Sequence, residues 1–532
     1  MPEEFMLPAI VAIIGGLGAS ALRLPPLVGF LAAGFGLSAA NVPTFPAIAE
    51  LAEVGVTVLL FTIGLHLDLK MITRVRVVFT AVGQAALNTI VFAVVLAALS
   101  LLPLSAFIGT GWSGFLLLGF ASSFSSTVFV IAVLDESGRM RSRVGIIAIG
   151  VLVLQDIFAV SFLVLFSGKT PEPWAILLLA LPLIRPLIGK LPDLVYRAEL
   201  LVLAGVIIAV GAYAVFELAG LSGSFGSLIA GLVIAGHPIA KRLHKALVSV
   251  RELLLVGFFI DIGMGGIPSV SGFIAAGILL LLLPAKLGIF LALLYKAGMS
   301  RRTSVLTAGL LANYSEFGLI VASLAAARGI IAGEWVQIMA VAVAGSFIIS
   351  SLVKLRVGPI MEALVLKLPR RDPQKLAAGE RPLDIDGVDA LVLGMGRVGA
   401  GAYLRLAEKY GMTVAGVEFD EKRVELMRKR GYTVFHADAT DPELWVRLSQ
   451  SSHCPKLLVL AMPSHESNVV ALQTLNNTKS SMVTAGIAKY SYKTKELVDL
   501  GADASVNLYD GAGIELADVA FQALVANEET PN

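Results

Sequence analysis

The sequence is poor in cysteine and in charge. Its single cysteine, Cys454, excludes an internal disulfide framework and any cysteine-based metal motif. Asp, Glu, Lys and Arg make up only 15% of its 532 residues and hydrophobic residues 57%, whereas soluble domains carry about 25% charged residues. That excludes an ordinary soluble enzyme and points to a polytopic membrane protein. The first residues show neither a basic region nor a small-residue cleavage site, so the first apolar run reads as a retained span. A Thr-Val-Gly-Tyr-Gly run is missing, which argues against a potassium-channel filter. His436 and His453 stand alone, with no acid/base pair or redox-partner site to support a membrane dehydrogenase. The net charge of +2 says little by itself, and no nucleic-acid partner is expected.

What is present is a series of thirteen apolar runs. They cover Phe5 to Leu22, Pro26 to Asn41, Glu50 to Leu67, Val77 to Leu102, Trp112 to Leu134, Val144 to Phe166 and Trp174 to Leu191. They continue over Leu200 to Leu218, Gly223 to Ala235, Leu253 to Ile267, Gly272 to Lys296, Thr303 to Ala325 and Trp335 to Leu355. Most are long enough to cross a bilayer at about 1.5 Å per helical residue. Basic residues collect in the loops after odd-numbered runs: Arg23; Lys70, Arg74, Arg76; Arg139, Arg141, Arg143; Lys190, Arg197; Lys241, Arg242, Lys245, Arg251; Arg301, Arg302. Loops after even runs hold only Lys169 and Arg328. The positive-inside rule therefore puts the N-terminus outside and the C-terminus in the cytosol, in agreement with an odd number of spans.

The composition changes after residue 366. Residues 367–384 contain Arg370, Arg371, Asp372, Pro373, Gln374, Lys375 and Gly379 and read as a solvated linker between a membrane domain (1–366) and a soluble one (385–532). The soluble part alternates strand and helix. Asp389 to Leu393 is an apolar strand, Gly394, Met395, Gly396, Arg397, Val398 and Gly399 follow, then a helical pattern to Tyr410 and a second strand, Thr413 to Val417. This predicts a doubly wound, Rossmann-like α/β domain. In such a loop Gly394 makes the tight turn, Gly396 lets a phosphate approach the backbone, Gly399 allows close helix packing, and Glu418 ends the second strand where a carboxylate accepts from ribose hydroxyls. Arg397 opens the helix. Asp438 follows the third strand and is either a ribose or adenine contact or, like Asp441, a cap for the segment starting at Pro442. A Rossmann-like scaffold that keeps its glycines only for packing is the alternative to nucleotide binding.

Gln155 and Asp156 lie inside the sixth apolar run. An Asp at the centre of a membrane helix costs about 2.5–3.5 kcal/mol on insertion scales, so it usually faces a cavity, a partner or an ion path. Lys286 lies mid-span in the eleventh run and needs a carboxylate or a wet cavity; Asp156 is its first candidate partner and Glu316 its second. Asp261, in the tenth run, is a further buried acid. Run five carries Ser122, Ser123, Phe124, Ser125, Ser126, Thr127, and run twelve carries Asn313, Tyr314, Ser315, Glu316, Phe317, Gly318. Each polar stretch occupies the second span of a triplet, four to six and eleven to thirteen. That placement fits an inverted repeat with two unwound, crossing helices. Packing of small polar residues is the alternative for either stretch, a helix cap the alternative for Glu316, and a helix-to-helix hydrogen bond the alternative for Gln155.

Taken in order, these stretches resemble the Kef-type glutathione-gated potassium efflux proteins among the monovalent cation:proton antiporters. The matching pieces are Val28 to Gly36 (VGFLAAGFG), Val58 to Leu69 (VLLFTIGLHLDL), Ser125 to Thr127, Gln155 with Asp156, Phe258 to Met264 (FFIDIGM), Ser315 to Phe317 (SEF) and the C-terminal nucleotide domain. The resemblance implies an NhaA-like fold of thirteen helices, a homodimer, and elevator-like movement in a bacterial inner membrane. It implies that Asp156 is the ion and proton carboxylate, that Gln155 beside it goes with potassium rather than sodium, and that Lys286 pairs with Asp156 when no cation is bound. It also implies an RCK (TrkA-N) domain that binds AMP or NAD(H). His66 departs from the pattern, where Glu is usual, as does Asp261, where Gly is usual. The cytosolic loop from His237 to Arg251 does not reproduce the acidic loop that contacts the regulatory domain in the family, which argues against control by glutathione or its adducts.

The expected activity is exchange of K⁺, or alternatively Na⁺, for protons at Asp156, under control of a bound nucleotide. Hydroxyls of Ser125, Ser126 and Thr127, with carbonyls at the crossing of spans five and twelve, would complete an oxygen shell suited to a hard cation. A nucleotide-gated channel and a transporter-like sensor are the rival classes.

Overall fold

The computed structural model describes all residues except 1, 23, 45, 67–73, 102, 138, 141, 167–171, 185–197, 370, 378–384, 441–443, 446–447, 449–453, 478–481, 511–516 and 523–532. Arg23, Lys70, Arg141, Lys169, Lys190, Arg197, Arg370, Gly379, Asp441, Pro442, His453 and the end of the chain beyond Asp510 up to residue 516 thus lie outside the described residues. Two units result. The first is built from Met1–Val133, Ile147–Ala297 and Arg301–Pro369, the second from Leu134–Ile146, Gly298–Ser300 and Arg370–Asn532.

The part of the chain up to Lys367 is helical. Its elements are α1 (Pro2–Ala21), α2 (Pro26–Ala39), α3 (Pro46–His66), α4 (Val75–Leu99), α5 (Trp112–Ala121), α6 (Thr127–Glu136), α7 (Arg143–Leu165), α8 (Ala198–Leu218), α9 (Gly223–Ile234), α10 (Pro238–Met264), α11 (Val270–Leu281), α12 (Leu283–Lys296), α13 (Arg301–Leu311), α14 (Glu316–Ala327) and α15 (Glu334–Lys367). The seventh expected span appears as a 3₁₀ segment, Pro173–Ile184. Among the described residues six helices are long and apolar enough to cross a membrane, or seven when the pair α13 and α14, bent by 47°, is taken as one span. The shorter apolar helices, Met6–Ala21, Pro26–Ala39, Trp112–Ala121 and Gly223–Ile234, have fewer than the ~20 residues that a perpendicular crossing needs.

Two expectations are corrected. The stretch from His237 to Arg251 is not a loop: α10 starts at Pro238, with proline at its first turn and the His237 imidazole accepting from the Ile239 N–H at 3.3 Å. The last membrane helix runs past the expected end at Leu355 to Lys367, through Gly358 and Pro359.

The motif stretches VGFLAAGFG and FFIDIGM turn out to be two sides of one contact. A Cβ on Gly34 would come within 2.6 Å of the Ile260 carbonyl, and one on Gly263 within 2.7 Å of the Gly34 Cα, so α2 and α10 touch backbone to backbone. Leu255, Phe258, Phe259 and Ile262 of α10 join Phe124, Ala159, Val160, Tyr314, Phe317 and Trp335 in the main apolar core.

The second unit carries a six-stranded sheet of β1 (Ala390–Leu393), β2 (Val414–Glu418), β3 (Val434–His436), β4 (Leu457–Leu460), β5 (Val483–Ala488) and β6 (Ala504–Asn507), in the order β3-β2-β1-β4-β5-β6. Every ladder is parallel. The helices named here are α16 (Arg397–Glu408), α17 (Glu421–Lys429), α18 (His465–Asn477) and α19 (Ser491–Asp499). Strands β1 and β2 are buried along their whole length, as a parallel sheet covered on both faces requires. The strand order reverses between β1 and β4, which opens a crevice at the carboxyl ends of those strands.

Gly394 and Gly399 fix the mouth of that crevice. Gly394 has φ +91°, and a Cβ on Gly399 would lie 1.8 Å from the Gly394 carbonyl oxygen. Gly399→Ala is therefore expected to push α16 off β1 and destabilise this unit by at least about 1–3 kcal/mol, the usual scale of overpacking. Limited proteolysis of the full chain checks this, and an unchanged cleavage pattern speaks against so tight a contact.

Candidate functional site

The two polar stretches are the places where helix stops. Helix α5 ends at Ala121 and α6 begins at Thr127, leaving residues 122–126 outside helix; α13 ends at Leu311 and α14 begins at Glu316, leaving 312–315. Each break presents carbonyls that have lost their helical partners at one end and N–H groups at the other. In the membrane interior these groups must find partners within the protein.

Lys286 meets the carbonyl ends. It is fully buried on α12, and its ammonium donates to the carbonyls of Ser122 (3.0 Å), Phe124 (2.7 Å) and Asn313 (2.6 Å). Three donors meet three acceptors drawn from both breaks. The ring of Tyr314 lies 5.1 Å from the same nitrogen. The expected pairing of Lys286 with Asp156 or Glu316 is thus corrected: the counter-charge is the negative end of two half-helix dipoles, where a cation is favoured.

The rest of the crossing is stitched by side chains. The Ser125 hydroxyl donates to the Leu311 carbonyl at 2.7 Å, and the Ser126 N–H donates to Asn313 Oδ1 at 2.7 Å. Asn313 Nδ2 donates back to Leu310 at 2.7 Å. Gln155 holds the first break from α7: its Oε1 accepts from the Ser125 N–H at 3.0 Å, while Nε2 donates to the Ser123 carbonyl (3.0 Å) and to Gln84 Oε1 (2.9 Å). Gln84 on α4 donates to the same Ser123 carbonyl. The Gln155 amide is thus engaged in a helix-to-helix bridge.

Asp156 is 4% exposed and Glu316 3% exposed. Glu316 stands at the first position of α14, where Ser315 caps the helix by accepting from the Phe317 N–H at 3.2 Å and donates to Glu316 Oε2 at 3.3 Å. The Thr127 hydroxyl lies within hydrogen-bond reach of Asp156, and the charges nearest to that carboxylate are Glu316 and Arg251. Among the described residues the Ser123 hydroxyl is buried without a hydrogen-bond partner. Carboxylates therefore gather near the helix N-termini and the lysine at the C-termini, each where the local dipole favours it.

Three contributors escaped the sequence reading. Gln84 and Asn88, one turn apart in the fourth apolar run, carried the signal of polar residues in mid-span. Asn88 donates to the Gly119 carbonyl at 3.0 Å. Arg251 was read as a loop charge because the start of α10 was misplaced. Four residues before Leu255 and seven before Phe258, it shares the face of α10 that enters the core, and its Nε is buried without a partner.

In the second unit, Glu418 is 8% exposed and its carboxylate is held inward. Oε2 accepts from the Met395 N–H at 2.9 Å, and Oε1 from the N–H groups of Phe419 and Asp420, both at 3.0 Å. Arg397 is exposed at the start of α16, and Gly396 precedes it as the N-cap. Asp438 Oδ1 accepts from the N–H (2.9 Å) and the hydroxyl (2.6 Å) of Thr440, so this carboxylate forms a local turn.

Residues 6–355 match the family of sodium/hydrogen exchangers, transmembrane. The chain belongs to the sodium/hydrogen exchanger family. Residues 390–508 of this exchanger match the TrkA-N domain. It is similar to a protein of Alkalimonas amylolytica named K(+) efflux antiporter KefB, at 28% identity over 466 residues, covering 81% of this chain and 67% of that one. It is also similar to the cation/proton antiporter YbaL of Escherichia coli strain K12, at 27% identity, covering 93% of each chain. Among solved structures, the sodium proton antiporter MjNhaP1 of Methanocaldococcus jannaschii aligns with 69% of this chain and 98% of its own, at 17% identity and a TM-score of 0.44. The exchanger is a multi-pass membrane transporter and not an enzyme: a cation/proton antiporter with a C-terminal TrkA-N domain.

Proposed function

We propose that this antiporter exchanges K⁺ for protons by competition at Asp156. The supporting observation is the carboxylate itself: it is almost wholly buried, beside the breaks of two helices, while the nearby lysine is committed to carbonyls. A buried carboxylate needs a proton or a cation to offset its lost hydration. Thr127, whose buried hydroxyl faces Asp156, and Glu316 are the neighbours that would complete an oxygen shell around a cation. Ser125, Ser126 and Gln155 act in this reading as positioning residues, because their polar groups hold the breaks. Lys286 joins the two half-helix ends. If only the occupied site crosses readily, the two fluxes are coupled.

K⁺ rather than Na⁺ is favoured by the resemblance of the Gln155–Asp156 pair to the Kef-type pattern and by the K(+) efflux name of one relative. Purified protein in liposomes containing a pH-sensitive dye, challenged with K⁺ and Na⁺ in turn, tests both parts. A larger proton flux with Na⁺ overturns the preference, and no flux with either overturns the exchange. The proposed setting is a bacterial inner membrane, with the N-terminus outside, the TrkA-N domain cytosolic and the working unit a homodimer.

The same reading assigns the TrkA-N domain a regulatory adenine nucleotide, AMP or NAD(H), held at Gly394, Gly396, Arg397, Gly399 and Glu418. A nucleotide biases transport only by its different affinity for two states of the transporter. Gly396→Asp puts an anion where a phosphate would lie, and it is expected to lower nucleotide affinity at least about tenfold and to remove any nucleotide effect on flux. Unchanged binding and unchanged flux in that variant retire the assignment. Glutathione control draws no support from the helical His237 to Arg251 stretch.

A further inference from the structure

The three glycines of the loop after β1 are not equivalent. Gly394 and Gly399 are closed in by backbone, whereas a Cβ on Gly396 would meet nothing within 4 Å except one atom, Nη1 of Arg423, at 3.9 Å. Arg423 comes from the first turn of α17, where the Asp420 carboxylate caps the helix by accepting from the N–H groups of Lys422 (2.9 Å) and Arg423 (3.3 Å). Its Nη1 lies 3.6 Å from Glu418 Oε2, and its side chain is 46% exposed. The guanidinium therefore spans from the carboxylate at the end of β2 to the open space over the middle glycine.

That space is where a phosphate sits when a nucleotide occupies a fold of this kind, against the N-terminus of the first helix. Glu418 has partners on both oxygens and little acceptor capacity left for a ligand. Oε1 already accepts two backbone N–H groups, and Oε2 accepts one and faces Arg423. A guanidinium offers paired donors to phosphate oxygens, and a partly exposed one has donors to spare.

Building on the nucleotide reading above, we infer that Arg423 reads a phosphate group of the bound nucleotide and so makes the site select nucleotides over nucleosides. The phosphate is either the 5′-phosphate beside the glycine loop or a 2′-phosphate at the ribose end near Glu418. Both present anionic phosphate oxygens to the same side chain.

The test is binding by the full-length protein in detergent, measured calorimetrically, with adenosine, AMP, NAD⁺ and NADP⁺, for wild type, Arg423→Gln and Arg423→Lys. Wild type is expected to bind AMP at least about tenfold more tightly than adenosine, and Arg423→Gln to lose about 10- to 100-fold in affinity for the phosphorylated ligand while adenosine binding moves less than about twofold. Arg423→Lys should restore part of the loss, since it returns the charge without the paired donors. A loss confined to NADP⁺ identifies the 2′-phosphate, and a loss shared by AMP and NAD⁺ identifies the 5′-phosphate. If Arg423→Gln binds every phosphorylated ligand as wild type does, or weakens adenosine equally, the inference falls and the nucleotide site stands. If wild type binds none of the four, the nucleotide site falls and the inference with it.

Discussion

Liposomes carrying Asp156→Asn are expected to show no cation-driven proton flux above protein-free liposomes, with the variant still folded and eluting as the wild type does. Asn has nearly the shape of Asp but can neither bind and release a proton nor neutralise a cation. Placing the ionised Asp in a membrane helix costs about 2.5–3.5 kcal/mol, so removing its charge should leave stability unchanged or slightly raised. The fold does not lean on this carboxylate. The hydrogen bonds that hold the two breaks come from Lys286, Ser125, Asn313 and the neighbouring Gln155, not from Asp156. Exchange that survives in this variant would remove Asp156 from the mechanism and turn attention to Glu316, the other buried acid at the crossing.

Lys286→Met is expected to damage the fold itself. Methionine has a similar length and no donor, so the carbonyls of Ser122, Phe124 and Asn313 lose their shared partner, at about 1–3 kcal/mol for each buried acceptor left unmet. The two half-helix C-termini lose their counter-charge as well, a further ~0.3–1 kcal/mol each. A markedly lower melting temperature in detergent and loss of exchange should follow together. The double variant Lys286→Met with Asp156→Asn separates this account from a salt bridge. If the lysine served mainly to neutralise Asp156, removing both charges would recover much of the lost stability. The geometry predicts no such recovery, because the three donors of Lys286 are spent on carbonyls. Recovery in the double variant would overturn the carbonyl-cradle account.

The sequence made the architecture legible because hydropathy and glycine spacing are local signals. A bilayer tolerates only elements that satisfy their own backbone, so apolar runs of span length mark helices, and polar runs such as Ser122 to Thr127 and Asn313 to Gly318 mark where helix fails. Strand–glycine loop–helix alternation predicted the parallel sheet for the same kind of reason. Boundaries suffered where composition gave no stop. The start of α10 at Pro238 was hidden by its basic first turns, and with it the burial of the Arg251 Nε.

Which groups meet was beyond the sequence. Lys286, Asp156 and Glu316 were each visible as charges in apolar surroundings, and nearest opposite sign is the only pairing rule a sequence offers. Main-chain carbonyls carry no mark in the sequence, so a lysine held by the ends of two broken helices becomes evident only when three distant segments are brought together. Glu418 repeats the lesson: its position after β2 suggested a ribose ligand, yet the folded loop fills its oxygens with N–H groups and leaves Arg423 facing the open glycine. The sequence determined where helices, strands and buried charges occur, because those depend on residue type and period along the chain. The tertiary structure decided what each buried charge is bonded to, because a partner in a low-dielectric interior is chosen by distance and direction, and the backbone competes for it on equal terms.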